Sequence, residues 1–205
     1  MKRRRLDLNY RPVRAENLAV ILSDWGLPIF GCYHQLPKKE MGTYQYHLTA
    51  IPRQAVLRHW DIIPVKVKVH DNPAFDEKDL VNVKWWEKEN IDFGTIEKII
   101  LAFADQVEWT KNSEIVKDFG DNERNDITIV KGKTGLLKEL SFRIDLREID
   151  RSFIDTVLTF VKALDCILLD RQGNLFEPTR ENISNYIKKS DAFKFLTDPT
   201  DFLKS

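Results

Sequence analysis

The strongest pattern in the chain is an apolar stripe of helical period in its last third. Within DRSFIDTVLTFVKALD, residues 150–165, the apolar residues that recur every three or four positions are Phe153, Val157, Phe160, Val161 and Leu164. This spacing places them on one face of an α-helix, with polar residues on the other. We therefore expect a helix that packs this face against a core.

Two further segments predict helices. In TIEKIILAFADQV the residues on one helical face are Ile96, Ile99, Ile100 and Phe103, and Thr95 is in position to be the N-cap. In EPTRENISNYIKKS the helix is expected to begin near Pro178 or Thr179. The tail that follows carries Phe193, Phe195 and Phe202, which predict that it packs against the rest of the protein.

Strands are indicated by a period of two. DITIV and LLKELSFRIDLRE flank the turn KGKTG and predict a β-hairpin, in which Phe142, Ile144 and Leu146 face inward while Arg143, Asp145 and Arg147 face outward. TYQYHLTAI and PVKVKV also alternate, and CILL predicts a short buried strand. FGDNERN, between two patterned segments, is typical of a loop.

The mixture of strands and helices lacks a strict β-α-β order. It predicts an α+β fold with a mixed or mainly antiparallel sheet and helices packed on one face. A change of pattern near ENIDFG predicts an N-terminal α/β half, residues 1–94, and a C-terminal α+β half, residues 95–205, although one continuous domain over 1–205 fits the length equally well.

Charge and composition narrow the function classes. Lys plus Arg and Asp plus Glu number 32 each, so the chain lacks the excess of basic residues that is typical of nucleic-acid-binding proteins. The basic run Lys2–Arg5 could still contact nucleic acid or an acidic protein partner. No apolar run has the roughly 18 residues that a membrane span needs. Two separated cysteines and the lack of a signal peptide predict a cytoplasmic protein.

The stretch ILLDRQGNL, residues 167–175, resembles the opening motif of haloacid-dehalogenase-type phosphatases, with Asp170 at the nucleophile position. That chemistry needs a second carboxylate two residues later as general acid and base. Gln172 occupies that position and cannot exchange a proton. We therefore expect Asp170 to be the polar end of a buried strand, bonded to the turn that follows.

Histidine and cysteine residues offer two other chemistries. A hydrolase site assembled from Cys32, His34 and His47 is one alternative, because such groups meet in space rather than in sequence. Cys32 and His34, with His70 and Asp71, could begin a metal site, yet no metal-ligand spacing accompanies them. We predict no catalytic residue, no metal and no cofactor.

Trp85 and Trp86 are the candidate partner-binding residues. Adjacent residues on a strand point to opposite faces, so both enter one core only if the segment is helical or sandwiched. One tryptophan is therefore expected at the surface, where large aromatic side chains anchor interfaces.

Residues 126–205 resemble uncharacterised bacterial proteins, some of which are encoded beside toxin genes. The similarity lies in ITIVKGKTGLLKELSFRIDLRE, in ALDCILLD and in KSDAFKFLTDPTDFL. The resemblance implies a small α+β protein of the immunity type, which binds a protein partner such as a toxin and catalyses nothing. The alternatives are the hydrolase and an adaptor or structural subunit that works through Trp85, Trp86 and the basic N-terminus.

Overall fold

Six antiparallel strands form one sheet in the computed structural model, which describes residues 44–67 and 84–198. The strands are β1 Gln45–Pro52, β2 Val116–Gly120, β3 Asp126–Lys131, β4 Leu137–Asp145, β5 Cys166–Asp170 and β6 Leu175–Phe176. Their order across the sheet is β2-β3-β4-β1-β5-β6. The strand β1 thus lies in the middle of the sheet, paired with β4 on one side and β5 on the other.

Five helices accompany the sheet within the described residues. They are α1 Arg53–Trp60, α2 Phe93–Leu101, α3 Arg151–Ala163, α4 Arg180–Lys189 and α5 Asp191–Thr197. The predicted start of α4 near Thr179 is confirmed by a capping bond, in which Thr179 Oγ1 accepts from Asn182 N. Helix α3 is capped in the same way by the Asp150 carboxylate, which accepts from the first turn of the helix. The α+β fold with an antiparallel sheet and helices on one face is confirmed.

Helix α2 begins earlier than the sequence pattern predicts. Its N-cap is Asp92, whose carboxylate Oδ2 accepts from Thr95 N at 2.7 Å and from Thr95 Oγ1 at 2.8 Å. Thr95 is therefore inside the first turn and the assignment of Thr95 as the cap is wrong. A carboxylate at the cap satisfies the same backbone donors and also interacts favourably with the helix dipole.

Strand β2 is absent from the sequence prediction, which has a loop over FGDNERN. Phe119 and Gly120 of that stretch end β2, and only residues 121–125 form the loop between β2 and β3.

The opposite error occurs in PVKVKV, where a strand is predicted but the described part forms only an isolated bridge from Lys66 to Asn174. The alternation in PVKVKV predicts a buried face that includes Val65, but Val65 is 73% exposed, so this prediction is wrong. The remainder of PVKVKV lies outside the described residues.

The two faces of the sheet have different chemistry, because residues opposite each other in an antiparallel pair lie on one face. The face called here the helix-covered face carries buried apolar residues over β3, β4 and β1: Tyr46, Leu48, Ile127, Ile129, Leu140, Phe142 and Ile144. Tyr44 on this side contacts Phe195 of α5, and Phe176 stacks on Tyr186 of α4 with ring centroids 4.3 Å apart. The predicted inward direction of Phe142, Ile144 and Leu146 is confirmed.

Candidate functional site

The second face of the sheet carries polar side chains in two rows. Cross-strand pairing places Asp126 opposite Arg143 and Arg143 opposite His47, and it places Asp118, Thr128, Ser141 and Thr49 side by side in the neighbouring row. Arg171 lies in the turn directly after Asp170, the last residue of β5, and its positive charge acts on His47. We call these eight residues the polar patch. Towards the start of α1 the same face becomes apolar, with buried Ile51 and Ile167.

An ion pair between Arg143 and Asp126 lies at the centre of the polar patch. Arg143 Nη2 donates to Asp126 Oδ2, and the Asp126 side chain is 0% exposed. The other oxygen of this carboxylate, Oδ1, is buried and has no hydrogen-bond partner among the described residues. Burial lowers the pKa of Arg143, while the nearby Asp118 acts in the opposite direction. Asp118 itself is buried and accepts from Thr128 Oγ1 at 2.6 Å.

His47 lies between two arginines. Its Nε2 atom is buried and, within the part of the chain that the structure describes, has no hydrogen-bond partner. Burial, followed by the positive charges of Arg171 and Arg143, lowers the pKa of His47 from 6.5 to about 3. The imidazole is therefore neutral at neutral pH. A base with this pKa is poorly matched to proton transfer near pH 7, which calls for a pKa close to the working pH.

Only one of the three residues predicted for a hydrolase site can be placed. His47 belongs to the polar patch, whereas Cys32 and His34 lie outside the described residues, as do His70 and Asp71. The exposed His59 contacts the rings of Trp60 and Trp85, at centroid distances of 4.5 and 5.7 Å. Over residues 44–67 and 84–198 no group of three or more His, Cys, Asp or Glu residues is arranged to hold a metal ion.

Asp170 is the end of a core strand, as the sequence predicts. Its Oδ1 accepts from the backbone N–H groups of Gln172 and Asn174, both at 2.9 Å, and its Oδ2 accepts from Asn174 Nδ2 at 2.8 Å and from Tyr46 Oη at 3.0 Å. Burial, with the Asp170 carboxylate, raises the pKa of Tyr46. These four bonds fix the turn after β5, where Gly173 adopts a positive φ of 82°.

Trp85 and Trp86 are both buried, at 9% and 2% exposure. The expectation that one of them lies at the surface is wrong, because the segment is a turn and not a strand, so the alternation of faces does not apply. Trp85 packs against Trp60, with ring centroids 5.5 Å apart. Their role in partner binding stays a prediction, which this burial does not favour.

A different tryptophan is exposed. Trp109 is 66% exposed, and Ile115 on the same short segment is 61% exposed. We call residues 105–115 the edge loop, since they run along the outer edge of β2: Val107 N donates to Asp118 O at 2.8 Å, and Val116 N of β2 donates to Ser113 Oγ at 3.0 Å. The sequence pattern gives no signal for this surface, because Trp109 is isolated among polar neighbours.

Comparisons of the chain with protein-family models, with characterised proteins and with solved structures found no match. Among the helices in the described ranges, none combines the length and the apolar character that crossing a membrane requires.

Proposed function

We propose that the chain is a non-catalytic protein-binding domain whose contact surface is the edge loop. The observation that carries this proposal is the exposure of Trp109 together with Ile115. Tryptophan is highly buried on average, and at interfaces it is among the residues that contribute most to binding energy. Two large apolar side chains exposed to water on one short loop are energetically unfavourable, and a bound partner that covers them would recover this free energy.

The kind of partner is proposed from the resemblance of residues 126–205 to proteins encoded beside toxin genes. An immunity-type protein binds the product of a neighbouring gene and neutralises it by covering its surface. The described part of residues 126–205 comprises β3 to α5, which form more than half of the sheet and three of its helices. The edge loop precedes this segment and lies on β2, the neighbour of β3.

Catalysis by His47 has less support. Its ring lies beside two cations, and no carboxylate bonds to it to orient it as a base, within the residues that can be described. Cys166, the described cysteine, is buried in β5, and burial raises the pKa of its thiol, which disfavours the nucleophilic thiolate. Both observations favour binding over hydrolysis.

The test begins with the genes adjacent to the one that encodes this chain. Each neighbouring product is expressed alone and with the chain, and both growth and complex formation are measured. We expect one product to be toxic alone and to be neutralised by a complex with the chain. The double variant Trp109→Ala/Ile115→Ala should weaken that complex by about tenfold or more, with the melting temperature nearly unchanged because both residues are exposed.

A matched control is Ile149→Ala, which removes another large exposed side chain, 46% exposed, from the connection between β4 and α3. Binding by this variant should equal that of the wild type. The proposal fails if no neighbouring product is toxic or binds, or if the double variant and the control bind equally well.

A further inference from the structure

The polar patch brings three nitrogen-bearing side chains close together. Arg143 on β4 is directly opposite His47 on β1, so both side chains start from the same face of the sheet, about one strand spacing of 4.8 Å apart. Arg171 lies in the turn that follows β5, the other neighbour of β1. It is near enough for its positive charge to act on His47, and the charge of Arg143 acts on Arg171 in turn. One ligand can therefore contact the polar ends of all three side chains.

None of the residues in the described ranges neutralises the charge of Arg171. No hydrogen bond or ion pair joins its guanidinium to another described residue, and its side chain is exposed. Burial and the like charge of Arg143 lower the pKa of Arg171. The carboxylates of the patch, Asp126 and Asp118, lie on the far side of Arg143, on β3 and β2.

His47 contributes an unsatisfied polar atom. A buried nitrogen without a partner destabilises a folded protein, and such an atom calls for an explanation such as a bound water or ion. As the neutral Nε2–H tautomer, this group would donate a hydrogen bond without adding charge. The adjacent Asp126 holds Arg143 in place, and Arg143 also donates from Nη1 to Gln45 Oε1 at 3.5 Å and from Nη2 to Asn122 Oδ1 at 3.4 Å. Its Nε–H has no acceptor among the described residues and is left for a ligand.

The geometry points to an oxyanion site on the polar patch, in which Arg143, Arg171 and His47 bind a phosphate group, either free or as a monoester. Three separate donor groups are best matched by an acceptor with three or more oxygens, and guanidinium groups bind phosphate through paired hydrogen bonds. Arg171 forms the movable side of the site, since exposed side chains change rotamer within nanoseconds. The site is independent of the edge loop and of the function proposed for it.

The test is a titration of the full chain, with its histidine rings isotopically labelled, against inorganic phosphate and methyl phosphate at pH 7 and constant ionic strength. We expect a saturable change in the NMR signals of the His47 ring with at least one probe, and the tighter probe distinguishes free phosphate from a monoester. Acetate, with two oxygens, should bind at least tenfold more weakly.

Arg171→Gln should weaken phosphate binding by about tenfold or more, because it removes a charge-assisted donor. Its exposed position should leave the circular dichroism spectrum and melting temperature unchanged. Arg151→Gln is the matched control: Arg151 is an exposed arginine at the start of α3 with no bonded partner in the described chain, and its loss should change affinity less than twofold.

Three results would overturn the proposal. One is a His47 signal that does not saturate with either phosphate probe, which indicates an ordered water only. Another is an equal loss of affinity in Arg171→Gln and Arg151→Gln, which indicates general screening by charge. The third is acetate binding as tight as phosphate binding, which excludes the phosphate class.

Discussion

The two faces of the sheet are built by alternate residues of the same strands, yet they are completed differently. On the helix-covered face, Leu48, Ile127 and Phe142 lie in one row and are almost fully buried. On the other face, the adjacent row of Asp126, Arg143 and His47 contains two buried atoms that have no partner in residues 44–67 and 84–198. Each such atom costs about 1–3 kcal/mol. The first face is therefore optimised for stability, whereas the second retains unused hydrogen-bonding capacity, which is what a binding site needs.

The largest expected difference between the faces comes from two adjacent residues of β4. Phe142→Ala removes a fully buried ring from the helix-covered face and should lower the free energy of unfolding by about 3–5 kcal/mol. Ser141→Ala, on the opposite face, should change it by no more than about 0.5 kcal/mol. Urea denaturation measures both. Equal losses would mean that the two faces contribute alike to stability.

The next effect concerns Asp170, a polar residue of the helix-covered face whose bonds are all made. Asp170→Ala removes four acceptor contacts and leaves the buried Tyr46 hydroxyl unpaired, so we expect a loss of about 2–3 kcal/mol in the free energy of unfolding. Asp121→Ala is a suitable control, because Asp121 makes a similar turn through a single bond to Glu123 N. Its loss should stay below about 1 kcal/mol. If Asp170→Ala lowers the free energy of unfolding as little as the control does, the four bonds of Asp170 do not stabilise the fold.

The third prediction concerns the pH dependence of the free energy of unfolding, for which His47 on the polar face is responsible. Its effect over a single pH unit is the smallest of the three. Its pKa in the folded protein is about 3, below the ordinary value of 6.5, so the unfolded chain binds the proton more tightly. The stabilisation by neutral His47 is thus complete above pH 6.5 and is lost progressively as the pH falls towards 3. The slope reaches at most about 1.4 kcal/mol per pH unit.

This pH dependence is measured by comparing urea midpoints of the wild type and His47→Gln between pH 4 and 7. The wild type should lose stability on acidification more steeply than the variant. His59→Gln controls for the loss of one imidazole from an exposed position of α1. Parallel curves for the wild type and His47→Gln would show that His47 has the same pKa in the folded and the unfolded chain.

Local patterns were sufficient for much of the fold. The alternation in SFRIDLRE predicts the burial of Phe142 and Ile144, and the period of residues 150–165 predicts α3. Strand β2 could not be predicted in the same way. Of its residues only Asp118 and Phe119 are buried, because its outer side meets a loop and not another strand. Its edge position, not its composition, decides its conformation.

The candidate site required information that no local pattern contains. His47, Arg143 and Arg171 become neighbours only through the pairing of β1 with β4 and β5. Sequence reasoning assigned Arg143 and Asp145 to a solvated face, yet Asp145 is buried and bonds Arg147. Local sequence reasoning also failed for Trp85 and Trp86. Strand geometry would place them on opposite faces, but tertiary packing of a turn buries both.

The edge loop has a consequence for how this chain can associate with others. The outward N–H groups of β2 are already bonded: Val116 N to Ser113 Oγ, Asp118 N to Thr110 Oγ1 and Gly120 N to Asp105 O. A foreign strand therefore finds no free donors here, and the sheet cannot be extended at β2 by backbone pairing. Recognition on this side depends on side chains alone, so its selectivity is set by shape and apolar contact. Backbone pairing between edge strands, which is independent of sequence and leads to aggregation, is blocked.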